Sequence, residues 1–125
     1  MAHGFILVFA LNCKKSFDNL LYWLNIINDT NGNKQLHFLI MSNKSDLKDE
    51  RVVTDEEIEE KRIRLGIDFF ETSATKKINI EESMNNMIQK IYKSVYYGDE
   101  NTTHGITIEK KGISKSQSVS KCCKN

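Results

Sequence analysis

The chain has 125 residues, with 39% hydrophobic and 28% charged, no proline and a formal net charge of +1. That length fits one domain with a packed core, and the near-neutral balance excludes a nucleic-acid binder that works through bulk charge. The longest apolar run, Phe5 to Leu11, falls far short of the roughly 20 residues that span a bilayer, so no transmembrane helix is expected.

Gly4-Phe-Ile-Leu-Val-Phe-Ala-Leu11 reads as a strand buried on both faces. Ser16 is placed to cap a helix carrying Phe17, Leu20, Leu21, Leu24 and Ile27 on one face. Asp29 to Asn33 reads as a turn, and Leu36 to Ser42 as a second buried strand that ends in Asn43-Lys-Ser-Asp46. Thr54 and Glu57 form a capping box, and the helix they open should stop near Gly66.

Ile67 to Phe70 is a short third strand leading into Glu71-Thr-Ser-Ala-Thr75. Asn79 should cap the last helix, whose core stripe is Ile80, Met84, Met87, Ile88, Ile91 and Val95. Trp23 is expected to be a packing residue and not a recognition aromatic, and Asp55 to Glu60 to form an exposed helix start favoured by its dipole. His3, His37 and His104 show no ligand spacing, so no metal site is assigned.

Periodicity stops after Tyr97. Residues 1–97 therefore read as the domain, and 98–125 as a flexible tail rich in Gly, Ser, Thr and Lys. The domain is near balance, with 13 basic against 14 acidic side chains, whereas the tail has five lysines against three acids. Cys13 stands alone and Cys122 and Cys123 are adjacent, which argues against a disulfide scaffold and for a reducing setting.

Strand–helix alternation predicts an α/β fold with parallel strands and crossover helices. Ligands of such sheets bind beyond the carboxyl ends of the strands. Asn43–Asp46 and Thr72–Thr75 both fall there, one strand–helix–strand unit apart. A carboxylate such as Asp46 can accept two parallel N–H bonds from a planar base, as guanine's N1–H and N2 amine require.

Asn43-Lys44-Ser45-Asp46 matches the Asn-Lys-x-Asp guanine-recognition motif of small GTPases, and Glu71-Thr72-Ser73-Ala74 matches the segment that closes over the base. With Ser16-Phe17, Trp23 and paired cysteines near the end, the chain resembles the Rab branch of the Ras superfamily, over roughly residues 3–97 and the style of the tail. The resemblance implies a three-layer P-loop-GTPase-like parallel sheet truncated to about three strands and three helices, the guanine-recognition half of the domain. By the same resemblance Asp46 binds the guanine edge and Asn43 ties the two loops together. Lys44 packs its stem over base and ribose, Ala74 offers its backbone N–H to guanine O6, and Ser73 supports the loop. Thr75 stands where the family usually has lysine, which displaces a stacking contact.

The family hydrolyses GTP through a Gly-rich loop ending in Gly-Lys-Ser/Thr and a Mg²⁺-binding hydroxyl. This chain has no Gly-Lys dipeptide, so no catalytic residue and no Mg²⁺ site are assigned, and hydrolysis by the chain alone is expected to be negligible. GTP or GDP remains the implied ligand. The tail's Cys122 and Cys123 resemble a double-cysteine prenylation signal, implying a lipid anchor at the cytoplasmic face of a membrane. A role in vesicle trafficking, with an escort protein, a dissociation inhibitor and effectors as partners, is implied likewise. Two further readings stand beside it: a membrane-tethered interaction module without stable nucleotide binding, and an incomplete gene product. The strand Gly4–Leu11 is expected to lack one neighbour, leaving an apolar edge.

Overall fold

A computed structural model describes residues 2–32 and 34–97. Three parallel strands, β1 (Gly4–Ala10), β2 (His37–Asn43) and β3 (Asp68–Glu71), form one sheet in that order. Gly4 pairs with His37 and Ala10 with Asn43, so β1 and β2 end level. Ser42 pairs with Glu71, which brings the end of β3 beside them. The expected α/β layering is present, and parallel pairing gathers the three carboxyl ends at one edge.

Helices α1 (Lys14–Asp18), α2 (Leu20–Asn31) and α3 (Asp55–Leu65) cover one face, and α4 (Ile80–Tyr97) the other. Strand alternation sorts the core between them. Leu7, Phe9 and Ile40 pack with Phe17, Leu20, Leu24 and Leu65 on the first face. Leu39 and Met41 pack with Met87 on the second, flanked by Ile6, Phe70 and Ile91. Each such buried side chain contributes about 1.5–3 kcal/mol.

The first helix differs from its expected form. It begins at Lys14, three residues after Leu11, and breaks at Asn19 into α1 and α2. Ser16 is inside it: the hydroxyl accepts from the Ala10 amide at 2.9 Å and donates to the Cys13 carbonyl at 2.7 Å. Its side chain therefore closes the turn out of β1. The expected turn at Asp29 to Asn33 starts late, because α2 runs on to Asn31. Thr30 and Asn31 donate back to the Ile26 and Ile27 carbonyls, and Gly32 takes φ 62°.

The capping box forms as read, with Thr54 Oγ1 accepting from the Glu57 amide and Glu57 Oε2 from the Thr54 amide. Gly66 closes α3 in the left-handed region. The half-buried Lys61 reaches from α3 to the Phe17 carbonyl at 2.9 Å and lies 3.7 Å from the Phe17 ring centroid. Burial lowers its pKa from the usual lysine range.

Two expectations are corrected. The α4 stripe is not all core: Met87 is buried, but Met84, Ile88 and Val95 are exposed, because the sheet beneath has three strands and α4 is wider than its cover. Trp23, read as a packing residue, is half exposed and packs edge-on against the Tyr22 ring. Cys13 is disulfide-bonded and so does not stand alone. The described helices include none long and apolar enough to cross a membrane. Residues 98–125, with the expected tail and Cys122 and Cys123, lie outside the described residues.

Candidate functional site

The site is built where β2 and β3 end. Beyond Asn43 the chain turns sharply, with Lys44 at φ 67° and the Leu47 amide donating to the Lys44 carbonyl at 3.0 Å. Beyond Glu71 it forms a tight loop: Ser73 and Ile78 exchange backbone hydrogen bonds at 3.2 and 2.9 Å, folding Ala74 to Lys77 into a small projecting turn. Asn79 Nδ2 donates to the Glu71 carbonyl at 2.8 Å and holds the base of that turn to β3.

The two loops are tied at several heights. At the bottom, the Thr72 amide donates to the Ser42 carbonyl at 2.8 Å, and the Ser45 amide to the Thr72 carbonyl at 3.1 Å. Above these, Ser73 Oγ donates to Asp46 Oδ1 at 2.6 Å and accepts from the Lys76 amide at 3.2 Å. At the top, the Ala74 amide donates to Asn43 Oδ1 at 3.1 Å. Thr72 and Ser73 are fully buried, whereas Asn43, Lys44 and Asp46 are half-buried and Ala74 and Thr75 are exposed. The polar groups are thus anchored from below and open above, as a binding edge requires.

All six expected residues, Asn43, Lys44, Asp46, Ser73, Ala74 and Thr75, fall on these two neighbouring loops. Asn43 Oδ1 accepts from the Ala74 amide across the two loops, and Ser73 Oγ donates to Asp46. Asp46 has no further hydrogen-bond partner among the described residues, so its second oxygen stays available as an acceptor. One detail differs: the Ala74 N–H is not free for a ligand but satisfies Asn43.

Sequence reasoning missed three contributors. Thr72 is the buried strut between the loops, in a motif read mainly for its serine and alanine. Arg51 fastens the segment behind the site, donating to the Val53 carbonyl at 2.8 Å and reaching Glu71 and Asp55. Asn12 follows β1 at the same edge; its Nδ2 donates to Glu50 at 3.3 Å while its Oδ1 is buried without a partner. Its position after a strand was the available signal, since β1 also ends at this edge. Among the described residues no cluster of His, Cys, Asp or Glu could hold a metal ion. A cavity of about 170 Å³ lies instead on the helical face, between Phe17 and Leu21 of α1 and α2 and Lys61 and Leu65 of α3.

Residues 1–93 match the family model described as the Ras family. The chain is 40% identical over 90 residues to the Ras-like protein rasU of Dictyostelium discoideum, covering 72% of this chain and 42% of that protein. It is 34% identical over 124 residues to the Ras-related protein RABD1 of Arabidopsis thaliana, covering 98% and 60% of the two chains. To the GTP-binding protein ypt1 of Schizosaccharomyces pombe it is 32% identical over 125 residues, covering 98% and 61%. The chain spans about half the length of the relatives it matches.

Proposed function

The chain belongs to the Ras family and is Rab-like, and on that premise we propose that its strand-end loops recognise the base of GTP or GDP. The observation that carries this reading is the clasp of Ser73 on Asp46, which fixes a carboxylate at the open edge while leaving acceptor capacity toward solvent. Asp46 takes guanine's N1–H and N2 amine, Lys44 lays its stem along base and ribose, and Ser73 holds Asp46 in place. Guanine O6 accepts the Ala74 amide by displacing Asn43 Oδ1, and Thr75 borders the base. Guanine is selected over adenine because adenine offers no paired donors to the carboxylate.

The wider proposal is that residues 98–125 are a separate basic tail, prenylated at Cys122 and Cys123, that holds the protein at the cytoplasmic face of a membrane for vesicle trafficking. Its partners there are an escort protein, a dissociation inhibitor and effectors. The chain itself carries no Gly-Lys segment for phosphates or Mg²⁺, so base recognition is proposed without GTP hydrolysis. Titration with a fluorescent guanine nucleotide, with the adenine analogue and Asp46→Ala as controls, tests this; equal binding of both bases, or none, would sink it. The second reading, a tethered interaction module without nucleotide, rests on the Ala74 amide being already satisfied. Absent binding by a folded chain would favour it.

A further inference from the structure

The cavity of about 170 Å³ on the helical face is formed wholly by α1, α2 and α3. Its floor is apolar, with Phe17 and Leu65 buried and Leu21 half-buried. Its charges are matched unequally on the two walls. On the α1 side, Lys14 holds both Asp18 and Glu57, so those two carboxylates are already committed. On the α3 side, Lys61 is half-buried and in no ion pair among the described residues.

The Lys61 ammonium has the Phe17 carbonyl at 2.9 Å and the Phe17 ring centroid at 3.7 Å. An ammonium carries three donors, so two are left over. Desolvation outweighs the attraction of Asp18 and lowers the Lys61 pKa, as befits a cation short of negative charge. Arg64 lies three residues on, hence on the same helix face, and is likewise in no ion pair among the described residues. Glu60 is the one lining carboxylate outside an ion pair, and it is exposed, where water and salt screen it.

We infer that this cavity is a binding site for a small aromatic carboxylate, its ring against the floor of Leu21, Leu65 and Phe17 and its carboxylate between Lys61 and Arg64. Each half of that guest answers one half of the site. An inorganic anion would leave the apolar floor wet, and a neutral ring would leave Lys61 uncompensated. A carboxylate takes two parallel bonds from a guanidinium and accepts the spare ammonium donors as well. The size agrees, since a cavity of about 150 Å³ is enough to hold benzene. The site stands apart from the strand-end loops and does not depend on nucleotide recognition.

Benzoate is the probe. Titrating it into the isotope-labelled 125-residue chain, followed by amide NMR with circular dichroism to confirm folding, should give saturable shifts at Leu21, Lys61 and Leu65. For so small a ligand the dissociation constant should be on the order of 1 mM. Benzyl alcohol keeps the ring without the charge, and acetate keeps the charge without the ring; each should bind at least ~5-fold more weakly. Arg64→Gln, at an exposed position, should weaken benzoate by a similar factor, and Leu21→Glu should abolish its binding. Arg62→Gln, outside the cavity and paired with Glu59, should leave it unchanged. A folded chain with no saturable shifts at these amides overturns the inference, as do shifts confined to the strand-end loops. Equal binding of benzyl alcohol, or indifference to Arg64→Gln and Leu21→Glu, overturns it as well.

Discussion

Ser73 Oγ donates a 2.6 Å hydrogen bond to Asp46 Oδ1 across 27 residues of sequence. The hydroxyl is buried at the end of β3 and the carboxylate is half-buried after β2, so one loop aims the acidic group of the other. A hydrogen bond to a charged acceptor contributes more than a neutral one, about 1.5–3 kcal/mol. Its geometric effect matters more here: Asp46 reaches the open edge already oriented, and a base meeting it bears less of the ordering cost.

Asp46→Ala should therefore separate binding from folding. The proposed base contact comprises two charge-assisted hydrogen bonds, so guanine-nucleotide affinity should fall by at least ~100-fold. Thermal stability should fall slightly, through the loss of Ser73's acceptor. Fluorescence titration and a melting curve on the same protein read the two effects. A variant that binds as tightly as the parent would remove Asp46 from the site.

Asn43→Ala tests the top of the clasp. The Ala74 amide now donates to Asn43 Oδ1 at 3.1 Å, and removing that oxygen exposes the amide to water. Hydrogen exchange at Ala74 should quicken, whereas the Thr72 and Ser45 amides, bonded backbone to backbone between the loops, should keep their protection. Nucleotide affinity should change by about tenfold or less, since guanine O6 no longer competes for the amide but the loops are held less firmly. Unchanged exchange at Ala74 would show that the side-chain bond contributes nothing in solution.

Much of this was legible in the sequence where one local rule governed the outcome. Thr54, Glu57 and Gly66 behave as their capping chemistry dictates, and Asn43–Asp46 and Thr72–Thr75 meet because parallel strands end level. The failures came where the answer depended on tertiary neighbours. Ser16 has the chemistry of a helix cap, but the Ala10 amide at the end of β1 offered it a different partner. Met84, Ile88 and Val95 have core periodicity, yet a three-stranded sheet gives them nothing to cover. Periodicity records which residues can share a face, and it is silent on the width of what lies beneath.

Lipidation of the tail is checked directly. Mass spectrometry of the reduced protein from cells should find isoprenyl groups on Cys122 and Cys123, and Cys122→Ser with Cys123→Ser should move the protein from the membrane to the soluble fraction. Two chains are the expected number, because a single lipid gives marginal, reversible binding. Unmodified Cys122 and Cys123 would end the anchor proposal.

Gly4→Ala probes the seat of α4. A Cβ at Gly4 would stand 2.9 Å from Met87 Sδ, 3.1 Å from Ile91 Cδ1 and 3.2 Å from the His37 carbonyl oxygen. The methionine tip can move, but the carbonyl belongs to the neighbouring strand and cannot. Overpacking of this kind costs about 1–3 kcal/mol, and denaturant titration should show it. Met87→Ala on the same background should recover part of the loss by opening space, and a fully additive double mutant would refute the contact.

The pH dependence of stability should report on Glu57. The Lys14 ammonium hydrogen-bonded to it, followed by the Thr54 amide, lowers its pKa from the ordinary glutamate value. A folded pKa below the unfolded one means that the native state binds fewer protons over the interval between them. The contribution is therefore full above the unfolded value, about 4.3 for glutamate, and is lost as pH falls through the folded value. Glu57→Gln keeps an acceptor for the Thr54 amide while removing the charge. Its stability deficit should be present near neutrality and vanish in acid. The pair is solvent-exposed, so the deficit should also shrink with added salt. Thr54→Ala removes the cap itself and should cost about 1 kcal/mol, with a dependence on pH that follows the box rather than the ion pair. Parallel acid curves for the parent and Glu57→Gln would show that Lys14 does not engage this carboxylate in solution.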